Sequence, residues 1–211
     1  MIKTVYGRLD HFRKEITPHL SRNDIEKKGN KLGVKIPERM IEFYEHFGND
    51  PKILTSDYEL ERMDDWCVDE SALCFGYVNQ GSERLGVKLS SLDMKVPSVS
   101  FKPKNEDKWF NEEGSSTVFF YRVACWQVLM AMNAVACVDM SEKQFQTLVE
   151  KDFSYISDEK LLLRSPVLAI VMDDILGCYR VRDGLLYLGT NKDEVVLEEI
   201  EEKFNLDLDW L

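Results

Sequence analysis

Leu73-Cys-Phe-Gly-Tyr-Val78, Asn79-Gln-Gly-Ser82, Arg84-Leu-Gly-Val-Lys-Leu89 and Pro97-Ser-Val-Ser-Phe101 form the stretch whose reading decides the fold. Apolar, aromatic and β-branched residues flank a polar, glycine-bearing break, which is a hairpin signal. In the second arm Leu85, Val87 and Leu89 alternate with Gly86 and Lys88, the period of a strand with one dry face. The turn is Asn79-Gln80-Gly81-Ser82, with Gly81 expected at positive φ. Pro97 cannot donate to a ladder, so Val99-Ser100-Phe101 reads as an edge strand or the beginning of one. A sheet in mid-chain follows.

Helices lie upstream. Val5, Leu9, Phe12 and Ile16 are spaced for an amphipathic helix over Thr4–Ile16, ended by Thr17-Pro18. Ser21 followed by Asp24 resembles an N-cap with an acid in the first turn, and Gly33 is a C-terminal stop. Ile36-Pro37 opens a third helix whose apolar face is Met40, Ile41, Phe43, Tyr44 and Phe47. Downstream, Val118–Val138 is the most apolar segment. Arg122, Gln127 and Asn133 interrupt it, so it reads as a long buried helix rather than a membrane span. Ser141 and Gln144 have capping-box spacing. Pro166–Gly189 reads as a three-stranded meander with turns at Asp173-Asp174 and Asp183-Gly184. Asn191–Phe204 reads as the last helix, with Asn191 and Glu194 at capping-box spacing. The expected fold class is α+β: a single domain over 1–211, with a central, mostly antiparallel sheet packed by several helices.

Composition narrows the function classes. Of 211 residues, 44% are hydrophobic and 31% charged, as in a globular protein with a sizeable core. The net charge is −11. Asp57–Glu70 carries seven acids against one base, and Lys192–Leu211 carries eight against two. Such a balance disfavours a nucleic-acid partner and suits a basic protein partner or simple solubility. The first ten residues hold no apolar run, so no signal peptide is expected and a cytoplasmic location is read. The five cysteines contain no Cys-x-x-Cys pair. Cys125 and Cys137, placed on one helix, would lie roughly 18 Å apart, beyond disulfide reach. Reduced core thiols are the reading.

Chemistry-bearing patterns are sparse. His11, His19 and His46 have no metal-ligand spacing, and neither a nucleophile elbow nor a phosphate loop occurs. No catalytic residue, metal or cofactor is assigned. Asp173-Asp174 reads as a turn, and Asp64-Asp65 as part of a solvated acidic run. Trp66 and Trp109 flank the central sheet, either capping the core or serving as anchors in a partner site. The candidate partner-binding residues are Asp64, Asp65, Trp66, Asp69, Glu70, Asn79, Gln80 and Trp109.

Two stretches together resemble the SUKH superfamily, which includes a regulator of cell-wall glucan synthesis. The first runs Ile25-Glu26, Leu32-Gly33, Ile36-Pro37, Phe43-Tyr44 and Phe47-Gly48. The second runs Tyr77-Val78-Asn79-Gln80-Gly81, Leu85-Gly86-Val87, Leu92 and Val96-Pro97-Ser98-Val99, followed by Trp109 and the apolar segment. The match covers roughly Ser21–Val138, with the meander and helix of 166–211 beyond it. Gly29 departs from the family's frequent Glu, Phe47-Gly48-Asn49 from Asn-Gly, Val78 from Glu, and Arg84-Leu85 from an aromatic. The resemblance implies an α+β fold and, in the bacterial branch, an immunity protein that binds and neutralises a cognate toxin domain without catalysis. A regulatory or scaffold module is the family's other implied role, and an unrecognised enzyme is the reading from another class.

Overall fold

The computed structural model describes residues 2–69, 71–78, 80–111, 115–157, 162 and 165–211. Tertiary contacts divide the chain into two compact units. One is Ile16–Gln127; the other joins Lys3–Glu15 to Val128–Leu211. The expected α+β class and antiparallel pairing are both present, with the strands shared between two six-stranded sheets.

The chain begins with α1 (Ile2–Leu9) and a single 3-10 turn, Asp10–Phe12. Val5, Leu9 and Phe12 are buried as their spacing predicts, but the helix stops short of Ile16, which is 58% exposed. In the Ile16–Gln127 unit, α2 (Arg22–Leu32) starts where Ser21 Oγ accepts the Asp24 N–H and stops at Gly33, whose φ is 71°. Gly29 is buried on this helix. A Cβ there would come within 2.7 Å of Ile36 Cγ1 and 2.8 Å of the Val34 carbonyl oxygen, so glycine at this position is a packing requirement. Next, α3 (Glu38–Phe47) has Pro37 at its N-cap and buries all five aromatic and aliphatic residues of its expected face. Arg22 ties the two helices, donating two hydrogen bonds to Glu38 at 2.8 and 2.9 Å and two to Glu45 at 3.2 and 3.3 Å.

The short α4 (Pro51–Thr55) is capped by Asp50, and the sheet follows. Its strands are β1 (Glu59–Leu60), β2 (Cys67–Asp69), β3 (Ala72–Val78), β4 (Glu83–Lys88), β5 (Ser100–Pro103) and β6 (Phe110–Asn111). Both β1 and β2 pair with the same side of the hairpin, along β3. Gln80 and Gly81 at the hairpin turn have φ of 57° and 76°, as a tight reversal demands. Helix α5 (Ser116–Met130) follows; Phe120 packs on Phe75 of β3 and Phe43 of α3, with ring centroids 5.7 and 5.3 Å apart.

The apolar segment is not one helix. After Met130 three residues turn the chain, and β7 (Ala134–Asp139) begins. Cys125 and Cys137 therefore lie on a helix and a strand, and all five cysteines are free. In the second unit α6 (Glu142–Lys151) carries the full capping box. It precedes β8 (Ser154–Tyr155) and the meander β9 (Val167–Met172), β10 (Ile175–Arg180) and β11 (Leu185–Thr190). Asp173, at φ 47°, occupies the first meander turn and Gly184, at φ 65°, the second. The chain ends with α7 (Val195–Phe204) and β12 (Asp209–Trp210). Asn191 does not cap α7; its side-chain amide donates to the Phe12 carbonyl at 2.6 Å instead. The second sheet runs β12-β7-β11-β10-β9-β8. No helix among the described residues is long and apolar enough to cross a membrane.

Candidate functional site

The acidic stretch 57–69 wraps one edge of the first sheet, and its carboxylates do different jobs. Asp57 Oδ2 accepts the Trp126 indole N–H at 2.9 Å. Asp69 pairs with Lys102 at 3.6 Å on the sheet face. Glu61 turns inward. Asp64 and Asp65 sit exposed on a single 3-10 turn, Met63–Asp65, and neither side chain has a hydrogen-bond or ion-pair partner among the described residues.

That turn is clamped from beneath. Lys28 Nζ donates to the Asp64 carbonyl at 2.7 Å, and the Asp65 N–H to the Arg62 carbonyl at 2.9 Å. Trp66 is only 2% exposed and meets Tyr44 edge-on, with ring centroids 4.5 Å apart. Its indole N–H and the Tyr44 hydroxyl both donate to the Glu61 carbonyl, at 3.4 and 3.0 Å. The partner-anchor reading of Trp66 is thereby overturned: a ring enclosed in the core cannot reach another protein, and burial of its large apolar surface decided its place. Beside the turn a cleft of about 330 Å³ opens between Thr17, Pro18, Leu20, Asn49, Met63 and Asp64, its walls mixed polar and apolar, with Arg62 and Asp64 supplying one charge of each sign.

The other candidate residues are spread over the sheet. Gln80 is exposed at the hairpin tip. Trp109 is half-buried and lies across β4, where a Cβ on Gly86 would come within 2.9 Å of its indole ring. Glu70 and Asn79 lie outside the described residues. The structure thus sets Asp64 and Asp65 side by side on the turn beside the cleft, encloses Trp66 in the core, and leaves Asp69, Gln80 and Trp109 elsewhere on the sheet.

A second cluster was invisible in the sequence. Cys67, Cys74, Gly86 and Ser100 are successive cross-strand partners through β2, β3, β4 and β5. Arg84, two residues along β4 from Gly86, donates from Nη2 to Cys67 Sγ at 2.9 Å, and its guanidinium lies 5.4 Å from the Tyr77 ring centre. Burial pushes the Cys74 thiol up to about 12, against the pull of the Arg84 charge. The period of β3 puts Cys74 opposite the face of Leu73 and Phe75, which is the one clue the sequence offered. The pairing of Cys67 had none, because β2 is three residues long.

Glu61 borders this cluster. Its Oε2 is buried and has no hydrogen-bond partner. Burial holds the carboxyl above its ordinary range; Arg84 opposes the rise, Asp65 adds to it and Lys28 opposes it. A carboxyl raised on folding costs stability as pH climbs from the ordinary carboxylate range through the raised value, and costs nothing below that range. Glu61→Gln is therefore expected to be more stable than the parent near neutrality, with the gap closing in acid. Urea midpoints of both proteins across that range check this; a parent more stable than the variant at neutral pH would show that attraction to Arg84 outweighs burial.

No family model, no curated protein and no solved structure matches this chain.

Proposed function

We propose that this chain is a non-catalytic protein-binding module, an immunity protein that captures and neutralises a basic toxin domain through the Asp64-Asp65 turn and the cleft beside it. The observation that carries the reading is the display of two unpaired carboxylates on a backbone fixed by Lys28, Tyr44 and Trp66. A charged pair on a clamped turn loses little conformational freedom when it meets a cation, so more of the attraction survives as affinity. The neighbouring cleft gives such a partner a recess for one side chain. The SUKH resemblance of Ser21–Val138 supports the same reading.

Co-expression with the C-terminal toxin domain of a genomic neighbour, scored for growth rescue in proportion to protein dose, tests the function. Rescue at far substoichiometric protein without a complex would contradict it. Opposite charges steer encounter more than they hold the docked state. Asp64→Lys with Asp65→Lys is thus expected to slow association with that domain about tenfold or more at low salt, with a smaller change in dissociation. Stopped-flow binding at two salt concentrations measures both rates. An association rate indifferent to salt and to charge reversal would return these acids to a solubilising role.

A further inference from the structure

We propose that Cys67 and Cys74 form a peroxide-reactive dithiol, a modification site in which Cys67 is oxidised first and Cys74 then closes a cross-strand disulfide. Three observations converge on it. The two residues are direct partners on adjacent antiparallel strands. Such partners have Cα atoms about 4.5 or 5.5 Å apart, and disulfides span about 4.4–6.8 Å, so either register permits the bond without moving a strand. Cys67 is half-buried and reachable by a small oxidant, whereas Cys74 is fully enclosed and reachable only through its neighbour. Arg84 supplies a cationic donor on the Cys67 sulfur at 2.9 Å.

The chemistry balances with a hydroperoxide as the oxidant. The Cys67 sulfur attacks the terminal peroxide oxygen, the O–O bond breaks and an S–O bond forms. The leaving oxygen takes the thiol proton and departs as water or an alcohol. Arg84 faces the negative charge that develops as that oxygen leaves. The Cys74 sulfur then attacks the Cys67 sulfur of the sulfenic acid. The S–O bond breaks, the S–S bond forms, and hydroxide leaves with the Cys74 proton as water. Two thiols lose two electrons and one peroxide gains them. The link would staple β2, which follows the acidic turn, to the middle of the sheet.

The remaining cysteines lack this setting. Cys125 and Cys178 are fully enclosed. Cys137 is half-buried like Cys67, but its thiol is held up by burial and by the neighbouring Asp209 and Asp139. It therefore serves as the internal control.

Limited hydroperoxide treatment of the intact protein, followed by alkylation and peptide mapping, tests the site. The expected result is a Cys67–Cys74 linked peptide in monomeric protein before Cys137 is modified, reversed by a dithiol reductant. In Cys74→Ser the second step is blocked, so Cys67 should accumulate as a sulfenic acid trapped by a cyclic 1,3-dione. Arg84→Met, shown to be folded by circular dichroism, should slow Cys67 oxidation about tenfold or more, with Arg84→Lys restoring part of the rate. Oxidation of Cys137 at the same rate as Cys67, or Cys67 oxidation without the link to Cys74, would overturn the proposal.

Discussion

Trp66→Ala is expected to lower the stability of the protein by about 3–5 kcal/mol, the usual cost of emptying a large aromatic site in a core. The indole is 2% exposed, packs edge-on against Tyr44 and bonds the Glu61 carbonyl. Removing it leaves Tyr44 with one face unsupported and withdraws the floor of the Asp64-Asp65 turn. Trp66→Phe keeps most of the packing and gives up a long hydrogen bond of 3.4 Å, so its cost should stay near 1 kcal/mol. Denaturant titrations rank the variants. A Trp66→Ala midpoint equal to the parent's would show that this ring does not hold the core together.

Gln127→Leu should cost a similar amount, on the order of 3–5 kcal/mol, although it keeps the size of the side chain. Gln127 is completely buried in α5 and satisfies backbone groups of the segment ahead of β1. Its Oε1 accepts from the Asp57 and Tyr58 N–H groups at 2.8 and 3.1 Å. Its Nε2 donates to the Ile53 and Tyr58 carbonyls at 2.8 and 2.9 Å. Leucine withdraws all four of these bonds, and each buried group left unsatisfied costs about 1–3 kcal/mol, less wherever water can reach. Because volume is conserved, the loss measures hydrogen bonding rather than a cavity. Gln127→Glu keeps the acceptor, loses both donors and places charge in the core, so it should also destabilise near neutrality. Urea unfolding gives the magnitude, and faster amide exchange at Asp57 and Tyr58 would localise it. A leucine variant with the parent's midpoint would show that water replaces the glutamine.

In the sequence Gln127 counted only against a membrane span. Its residue type announced that something polar was needed inside an apolar helix, but not what. The partners come from 69 to 74 positions earlier, and only the packing of α5 against the 53–58 segment brings them within reach.

Features fixed by neighbours along the chain were legible. Ser21 and Gly33 bound α2, Ser141 and Gln144 cap α6, and Gly81 and Gly184 turn their hairpins, because each acts within a few residues of itself. The α+β class followed from the same local signals. What the sequence could not decide were the places where distant hydrogen bonds outweighed local preference. Apart from Arg122, Gln127 and Asn133, Val118–Val138 is apolar throughout, so it carries no clear period to separate helix from strand; β7 became a strand because β11 and β12 pair with it on both edges. Trp66 sits in an acidic, aperiodic run that reads as surface, and the ring that receives it, Tyr44, comes from α3, 22 residues earlier. Cys67, Cys74 and Arg84 meet only through the register of three strands, and register is set by pairing across the sheet rather than by the order of residues along the chain.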